Sequence, residues 1–504
     1  MIDPQAFRGA IDLLSSDPMA WLVVPPGIII GLIFGSVPGL SISIAMAVFL
    51  PATLYMDFLP AILFLTAIFT GGGFGGAIPA ILMNIPGTSA AVATAFDGYP
   101  MSQQGRHGEA LGTGLAASVV GTFVGYAFLL LVVDFIAGWV LRLGPTEMLV
   151  IATWGLLLIA ILNDSTFAKG LAAGGLGLLI STVGYSNTGM MRGTFGSMYL
   201  LDGIPVIPAL IGLFAAAELF GLAGRDYIIR DVKLRAIHMG AILKGVGNTL
   251  RRPAALLRGS AIGTLVGTVP GVGASVANLA SYAVARRADP AAFGKGDARG
   301  VIASEAANSS SEGGGMVTLL ALGIPGGAGT AILLGAFAMH NVTGGPRFIA
   351  ENADVVYALI LGNMAQTVVL FVLGLGFVLL SGYIIRTPLR FLIPIVIAVS
   401  MMGAFAITGS MVGPLTVAGA GALGWLMKRY RYPVTATVVG LLIGGLAEGE
   451  LVRSWQVSGG DPSFVLERPI TLALLGLMAV SLLPGFIKRS LQRRRAAAVS
   501  GGTQ

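Results

Sequence analysis

From Phe58 to Phe96 the chain runs without one charged side chain, and from Gly313 to Pro346 it again carries no Asp, Glu, Lys or Arg. A helix needs about 20 apolar residues to cross the hydrocarbon of a bilayer, and stretches of this kind supply them. Apolar segments of similar character recur from Met19 to Ile487. Charged residues make up only 11 % of the 504, against about a quarter in soluble domains. Water could not cover a fold of this size and lipid could. The sequence therefore predicts an all-α polytopic membrane protein with about 12 transmembrane helices.

The remaining composition removes several classes of function. Cysteine is absent, which excludes disulfides, thiolate nucleophiles and Cys-ligated metals, and the three histidines are scattered, so no metal site is expected. Residues 1–18 form an N-terminal segment with no basic stretch ahead of an apolar run, so the first span itself is expected to serve membrane delivery. The net charge of +7 does not point to nucleic acid, because the basic residues collect beside apolar segments. Residues 224–258 hold eight Lys/Arg against two Asp, and the tail 488–504 holds five basic residues and no acid. Both read as cytoplasmic anchors that meet anionic membrane lipid.

An internal repeat divides the chain. Gly35-Ser36-Val37-Pro38-Gly39 matches Gly267-Thr268-Val269-Pro270-Gly271, and GGAIPAILMNIPG at 75–87 matches GGMVTLLALGIPG at 314–326, in the same order. The first half is then 19–223, the basic connector 224–258 is the joint, and the second half is 259–487. The second half begins after a basic, cytoplasmic segment. The first begins after a segment with Asp3, Asp12 and Asp17 against Arg8 alone, which favours an outside N-terminus. Opposite starting sides make the repeat inverted.

Each half carries a Gly-rich stretch, 70–89 and 309–330, interrupted by Pro86 or Pro325 followed by Gly. Proline removes a helical hydrogen bond and clashes with the preceding turn. Two re-entrant or broken-helix hairpins are expected, the alternative being kinked elements that only pack. Unwound backbone at membrane depth survives only inside protein or along a wet cavity. Paired broken helices at corresponding positions mark a transporter site, where half-helix N-termini take carboxylates and free carbonyls take Na⁺. The substrate-binding candidates are Asn84, Pro86, Gly87, Thr88 and Ser89 in the first hairpin. Pro325, Gly326, Gly327 and Thr330 are their counterparts in the second.

Cation-binding candidates are Ser41, Ser43 and Ser275, which follow the Val-Pro-Gly motifs, although such hydroxyls often bond their own helix carbonyls. Glu305, Asn308, Ser309 and Glu312 fall on one face of a helix-like segment and offer oxygens to a cation or a proton, or else form a polar interfacial helix. Asp134, Glu147, Asp164, Asp202 and Glu218 lie in or near other spans, and Asn363 and Gln366 are expected to bridge helices. No phosphate loop, HExxH or hydrolase triad is present, so energy for transport must come from an ion gradient, with Na⁺ or H⁺ as coupling ion and no cofactor.

The runs GGGFGGAIPAILMNIPGTSAAVATAFDGYPM (71–101) and EAANSSSEGGGMVTLLALGIPGGAGTAILLGAF (305–337), with Gly-Lys-Gly at 294–296, resemble the large membrane subunit of tripartite tricarboxylate transporters, the TctA type. The resemblance covers residues 20 to 487. Where the family carries Asn-Asn or Asn-Ala after Glu-Ala-Ala, this chain has Asn308-Ser309, which leaves the role of residue 309 open. The resemblance implies a bacterial inner-membrane protein, not an enzyme. It also implies a small four-span membrane subunit and a periplasmic solute-binding protein as partners, and cation-coupled import of citrate or related carboxylates. An elevator motion of both hairpins is what an inverted repeat suggests. Import of a dicarboxylate or aromatic acid by the same route, and a passive carboxylate channel, are the alternatives.

Overall fold

The computed structural model describes residues 3–38, 40–140, 143–162, 166–186, 188–222, 237–384, 389–461 and 463–480. The tail 488–504, most of the connector at 224–236, Gly39 and Asp164 lie outside them. Helices α1 (Pro4–Ser16), α2 (Pro18–Leu22), α3 (Val24–Ser36), α4 (Ile42–Phe49), α5 (Phe58–Gly75), α6 (Ala77–Met83), α7 (Val92–Gln103) and α8 (His107–Val140) open the chain. Then come α9 (Pro145–Leu162), α10 (Phe167–Ser181), α11 (Val206–Ile211), α12 (Ala217–Leu222), α13 (Met239–Leu250), α14 (Pro253–Gly267), α15 (Gly273–Ala288) and α16 (Ala298–Leu322). The series continues with α17 (Ala328–Met339), α18 (Pro346–Glu351), α19 (Ala353–Ile384), α20 (Leu389–Thr408), α21 (Val412–Arg429), α22 (Val434–Val457) and α23 (Phe464–Glu467), and a further apolar helix follows at Pro469–Val480. The strands among the described residues are one short antiparallel pair, Gly184–Tyr185 with Met191–Arg192.

Among the described residues, five helical stretches are long and apolar enough to cross a membrane: Pro18–Ser36, Phe58–Met83, His107–Ile136, Ala353–Ser381 and Val434–Val457. Shorter apolar helices, such as Ala328–Met339 and Ile393–Thr408, accompany them. The chain forms two compact units, Met1–Val140 with Ile204–Tyr430, and Leu141–Gly203 with Arg431–Gln504.

In the larger unit, helices close on one another where glycine lets backbone meet backbone. Lipid is as apolar as a leucine side chain, so little hydrophobic force draws two membrane helices together, and close van der Waals approach must hold them. Along α3, Gly27, Gly31 and Gly35 sit over α5; an added Cβ would meet the carbonyl oxygens of Phe64, Ile68 and Gly72 at 2.8, 2.2 and 2.5 Å. Along α14, Gly259, Gly263 and Gly267 sit over α16, where a Cβ would meet the carbonyls of Ala303, Ala307 and Ser311 at 3.2, 2.2 and 2.4 Å. Both series step by four residues on both helices, the spacing that keeps one helix face in register. From the other side α8 lays Gly121 and Gly125 against the Ala306 and Ser310 carbonyls, where a Cβ would lie 2.5 Å from each oxygen. The smaller unit uses the same device: Gly177 of α10 meets the Thr437 carbonyl at 2.1 Å and Gly440 of α22 meets that of Gly174 at 2.3 Å, again for an added Cβ.

Within the basic connector, residues 239–250 form α13, which lies along the start of α8 with Asn248 Nδ2 donating to Glu109 at 3.3 Å and Lys244 pairing with it at 3.4 Å. The polar segment 301–312 is the first half of α16, and every residue from Gly300 to Ala321 is buried in the protein. Its small side chains and glycines let α5, α7, α8, α14 and α15 all pack on it.

Gly263→Val should lower the thermal unfolding midpoint and folded yield in detergent, because the forced separation of α14 and α16 costs about 1–3 kcal/mol. Gly247→Ala on α13, where a Cβ meets nothing within 4 Å, should leave both unchanged.

Candidate functional site

The two broken helices end alike. α6 stops at Asn84, which takes the left-handed conformation at φ 58° and donates its amide to the Ala80 carbonyl at 3.2 Å. α16 stops at Gly323, also left-handed at φ 66°, with its amide on the Leu319 carbonyl at 3.1 Å. Asparagine and glycine are the residues that tolerate this backbone, which ends a helix sharply. Helix resumes with a short turn at Ser89–Ala91 ahead of α7 in the first case and with α17 in the second. The interruptions at Pro86 and Pro325 are therefore present, and neither segment is a straight rod.

Within each break the glycine after proline wedges between two others. A Cβ on Gly87 would lie 2.1 Å from the Gly35 carbonyl oxygen and 2.9 Å from the Gly76 Cα. One on Gly326 would lie 3.1 Å from the Gly315 Cα and 3.3 Å from the Gly267 carbonyl oxygen. The breaks differ in cover: Asn84, Ile85 and Ser89 are exposed, whereas Pro325 and Gly326 are buried.

The loop at 268–272 and the first turn of α15 tie the breaks together. Gly271 N–H donates to the Gly326 carbonyl at 3.0 Å, and Ser275 Oγ lies 2.8 Å from Ser89 Oγ. A substrate candidate and a cation candidate thus share one hydrogen bond across the two halves of the sequence. Several expected donors are already engaged. Gly87 N–H goes to the Gly76 carbonyl at 3.1 Å, and Gly327 N–H to Thr330 Oγ1 at 2.8 Å, while that hydroxyl lies 3.0 Å from the Gly327 carbonyl. Thr330 therefore caps α17 instead of offering a free hydroxyl. Ser41 caps α4 by accepting from Ile44 N–H at 3.3 Å, and Ser43 lies half-buried in the first turn of that helix. Thr88 is different: its Oγ1 is buried and has no hydrogen-bond partner among the described residues. The first-turn amides of α17 also lack partners within their helix, as at any helix start.

About three to five helix turns upstream of the second break, α16 carries its polar face into the first half. Glu305 accepts from Thr94 Oγ1 of α7 and from Ser118 Oγ of α8 at 3.1 Å. Asn308 Nδ2 donates to the Gly73 carbonyl of α5 at 3.1 Å. Ser309 is buried beside it, and Glu312 accepts from Thr70 Oγ1 of α5 at 2.9 Å and from Tyr126 Oη of α8 at 2.8 Å. Among the described residues neither glutamate has a basic partner. On α19, Gln366 does bridge, donating to the Leu63 carbonyl of α5 at 3.1 Å, but Asn363 donates to its own Leu359 carbonyl at 2.7 Å.

Sequence reasoning missed the clasp at Asp97. This buried carboxylate accepts from the backbone N–H groups of Gly294, Gly296 and Asp297 at 2.8, 2.9 and 2.9 Å and from Tyr282 Oη at 2.9 Å. It pins α7, which leaves the first break, to the loop that opens α16. The Gly-Lys-Gly at 294–296 was the signal: Gly294 at φ 82° and Gly296 at φ 97° turn successive amides toward one acceptor. Burial pushes the neighbouring Asp297 carboxyl up, but hydrogen bonds and charge from Arg299, with the charge of Arg252, together hold it below the ordinary carboxylate range. Beyond the clasp, Asn278 of α15 accepts from Ala93 N–H at 2.8 Å and donates to the Ser304 carbonyl at 3.1 Å.

Comparison with known proteins gives one family. The profile of the Tripartite tricarboxylate transporter TctA family matches residues 21–439. The chain is 30% identical over 473 residues to an uncharacterized 52.8 kDa protein in the TAR-I ttuC' 3' region of Agrobacterium vitis, covering 92% of this chain and 93% of that protein. It is also 30% identical over 223 residues to an uncharacterized protein in the TAR-II ttuC' 3' region of the same organism, covering 44% of this chain and 92% of that one. No solved structure matches.

Asp97→Ala leaves four donors facing a void and should cost about 3 kcal/mol or more. Limited trypsin digestion should then cut after the exposed Lys295 faster than in the unaltered protein.

Proposed function

The chain belongs to the Tripartite tricarboxylate transporter TctA family, and from that premise we propose that it is the large membrane subunit of a secondary-active carboxylate importer. As a member of that family it is a multi-pass membrane protein and a transporter, not an enzyme. Its substrate is a citrate-like tricarboxylate, received in the bacterial inner membrane from a periplasmic solute-binding protein. A small four-span subunit completes the assembly, and Na⁺ or H⁺ flowing inward drives uptake without a cofactor.

One observation carries this reading: two helices, each broken at an Ile-Pro-Gly, are joined through the Gly271–Gly326 and Ser89–Ser275 hydrogen bonds. An acid lying there meets Thr88 Oγ1, the exposed Asn84 and Ser89, and the first-turn amides of α17. Dipole ends and neutral donors can bind a carboxylate without a fixed cation. They also release it more readily than an arginine would, because a desolvated charge pair is hard to separate.

The glycine contacts support the repeat read from the sequence motifs. Each contact of α3 on α5 has its counterpart in α14 on α16, at positions that keep one spacing from Gly27 and Gly259 to Gly35 and Gly267. The left-handed caps at Asn84 and Gly323 occupy corresponding positions as well. On this reading both hairpins move as one transport body. Crosslinks that lock Asn84 and Gly326 at one depth should abolish uptake; uptake that survives them refutes the elevator.

Proteoliposomes holding the assembly should take up radiolabelled citrate, succinate or benzoate only with the binding protein and an inward cation gradient. Uptake down the acid's own gradient alone would point instead to a passive channel. Thr88→Val should leave thermal stability unchanged, since that hydroxyl has no partner in the protein, and should cut uptake about tenfold, the worth of one hydrogen bond to a charged group.

A further inference from the structure

Five carboxylates are buried among the described residues: Asp97, Glu109, Glu147, Glu305 and Glu312. Three have cations or backbone amides among their partners, which can only donate. Asp97 holds three backbone amides beside the Tyr282 hydroxyl, Glu109 pairs with Arg106 at 2.8 Å and Lys244 at 3.4 Å, and Glu147 pairs with Arg468 at 3.0 Å and accepts the Gly144 amide at 2.8 Å beside the Thr471 hydroxyl. Such partners satisfy a charged carboxylate and are left facing a proton if it becomes neutral. Glu312 is unlike them, because its partners are the hydroxyls of Thr70, within 2.9 and 3.0 Å of its two oxygens, and Tyr126, at 2.8 Å. A hydroxyl donates and accepts. It bonds the ionised carboxylate as a donor and the neutral acid as an acceptor, so the site keeps its hydrogen bonds in either state. Glu305 has two hydroxyl partners also, but they lie on α7 and α8 and not on the helix that leads to the Pro86 break.

We propose that Glu312 is the proton-carrying group of this transporter, with Thr70 and Tyr126 as its amphoteric partners. The inference rests on the import reading above and names its coupling ion. An ionised carboxylate away from water with no countercharge is expensive, and taking up a proton removes that cost. The carboxylate accepts one proton from the side on which the substrate loads, the neutral acid moves, and the same proton leaves on the other side. No other bond changes. The position suits coupling, since Thr70 lies on the helix that leads to the Pro86 break and Glu312 on the helix that leads to the Pro325 break. Adding or removing the charge alters the hold between the two.

The surroundings leave this charge uncompensated. α5 has no titratable side chain. On α8 only Tyr126 meets Glu312, with Glu109 and Asp134 turns away along the helix. α14 has Arg258 near its start, before Gly259 opposes Ala303. α15 has Tyr282, engaged with Asp97, and Arg286 and Arg287 in its last turn. α7 has Asp97, held in its clasp, and Tyr99; α18 has Arg347 and Glu351, beside the Leu320 end of α16. Glu305 stands about two turns away on α16 itself.

The test uses the assembled transporter in proteoliposomes and two readouts. An infrared pH titration should show a protonated-carboxyl band that is absent in Glu312→Gln and displaced in Tyr126→Phe. Identical titrations of the unaltered protein and Glu312→Gln overturn the proposal. Accumulation of radiolabelled citrate, succinate or benzoate under an imposed pH gradient should fall at least about tenfold in Glu312→Gln, while Glu312→Asp and Tyr126→Phe should keep transport with a displaced pH profile. Accumulation that persists in Glu312→Gln, or that follows a Na⁺ gradient and ignores pH in the unaltered protein, overturns the proposal and leaves the import reading standing. If the unaltered assembly takes up none of these acids, the import reading falls, and the infrared comparison alone decides whether Glu312 exchanges a proton.

Discussion

Everything in the larger unit depends on helices that touch through their backbones. Glycines stepped by four residues along α3 and α14 meet carbonyls stepped by four along α5 and α16, and no side chain fits between them. In lipid this is the main cohesive force available, since dispersion and weak backbone contacts replace the hydrophobic effect. Such close packing has a geometric result. Residues that would sit on separate layers of a looser bundle come within hydrogen-bond reach, and so Glu312 of α16 can touch α5 and α8 at once.

The same scaffold is decorated unequally. The first break is open at Asn84, Ile85 and Ser89, and the second is buried at Pro325 and Gly326. Of α5 and α16, only α16 carries buried carboxylates; α5 meets Glu312 with the Thr70 hydroxyl and Asn308 with the Gly73 carbonyl. The two breaks thus share a local form and differ in the chemistry around them: α16 presents acids, and α5 a hydroxyl and a carbonyl.

Much of this was legible in the sequence because the signals are local. Long uncharged runs, Pro-Gly interruptions and the paired motifs each follow from a few adjacent residues, and helix, break and resumed helix stand where they indicate. The polar face of 305–312 was legible as a face, since helical spacing alone puts Glu305, Asn308, Ser309 and Glu312 together. What the face meets was not. Thr70, Thr94, Ser118 and Tyr126 are lone hydroxyls in apolar or glycine-rich helices, and nothing local separates them from residues that bond their own helix, as Thr66 does with the Ile62 carbonyl. The same limit explains Thr330, which reads as a free hydroxyl and turns out to cap a helix. Asp97 escaped for a related reason, because its partners lie almost two hundred residues away.

The smaller unit is assembled from two distant stretches of chain, with Gly177 of α10 seated on Thr437 of α22. During synthesis α9 and α10 are made long before α22 exists. Until then the bare glycine face of α10 has no mate. This unit can close only once α22 has emerged, so a premature stop before α22 would leave its maturation permanently undone.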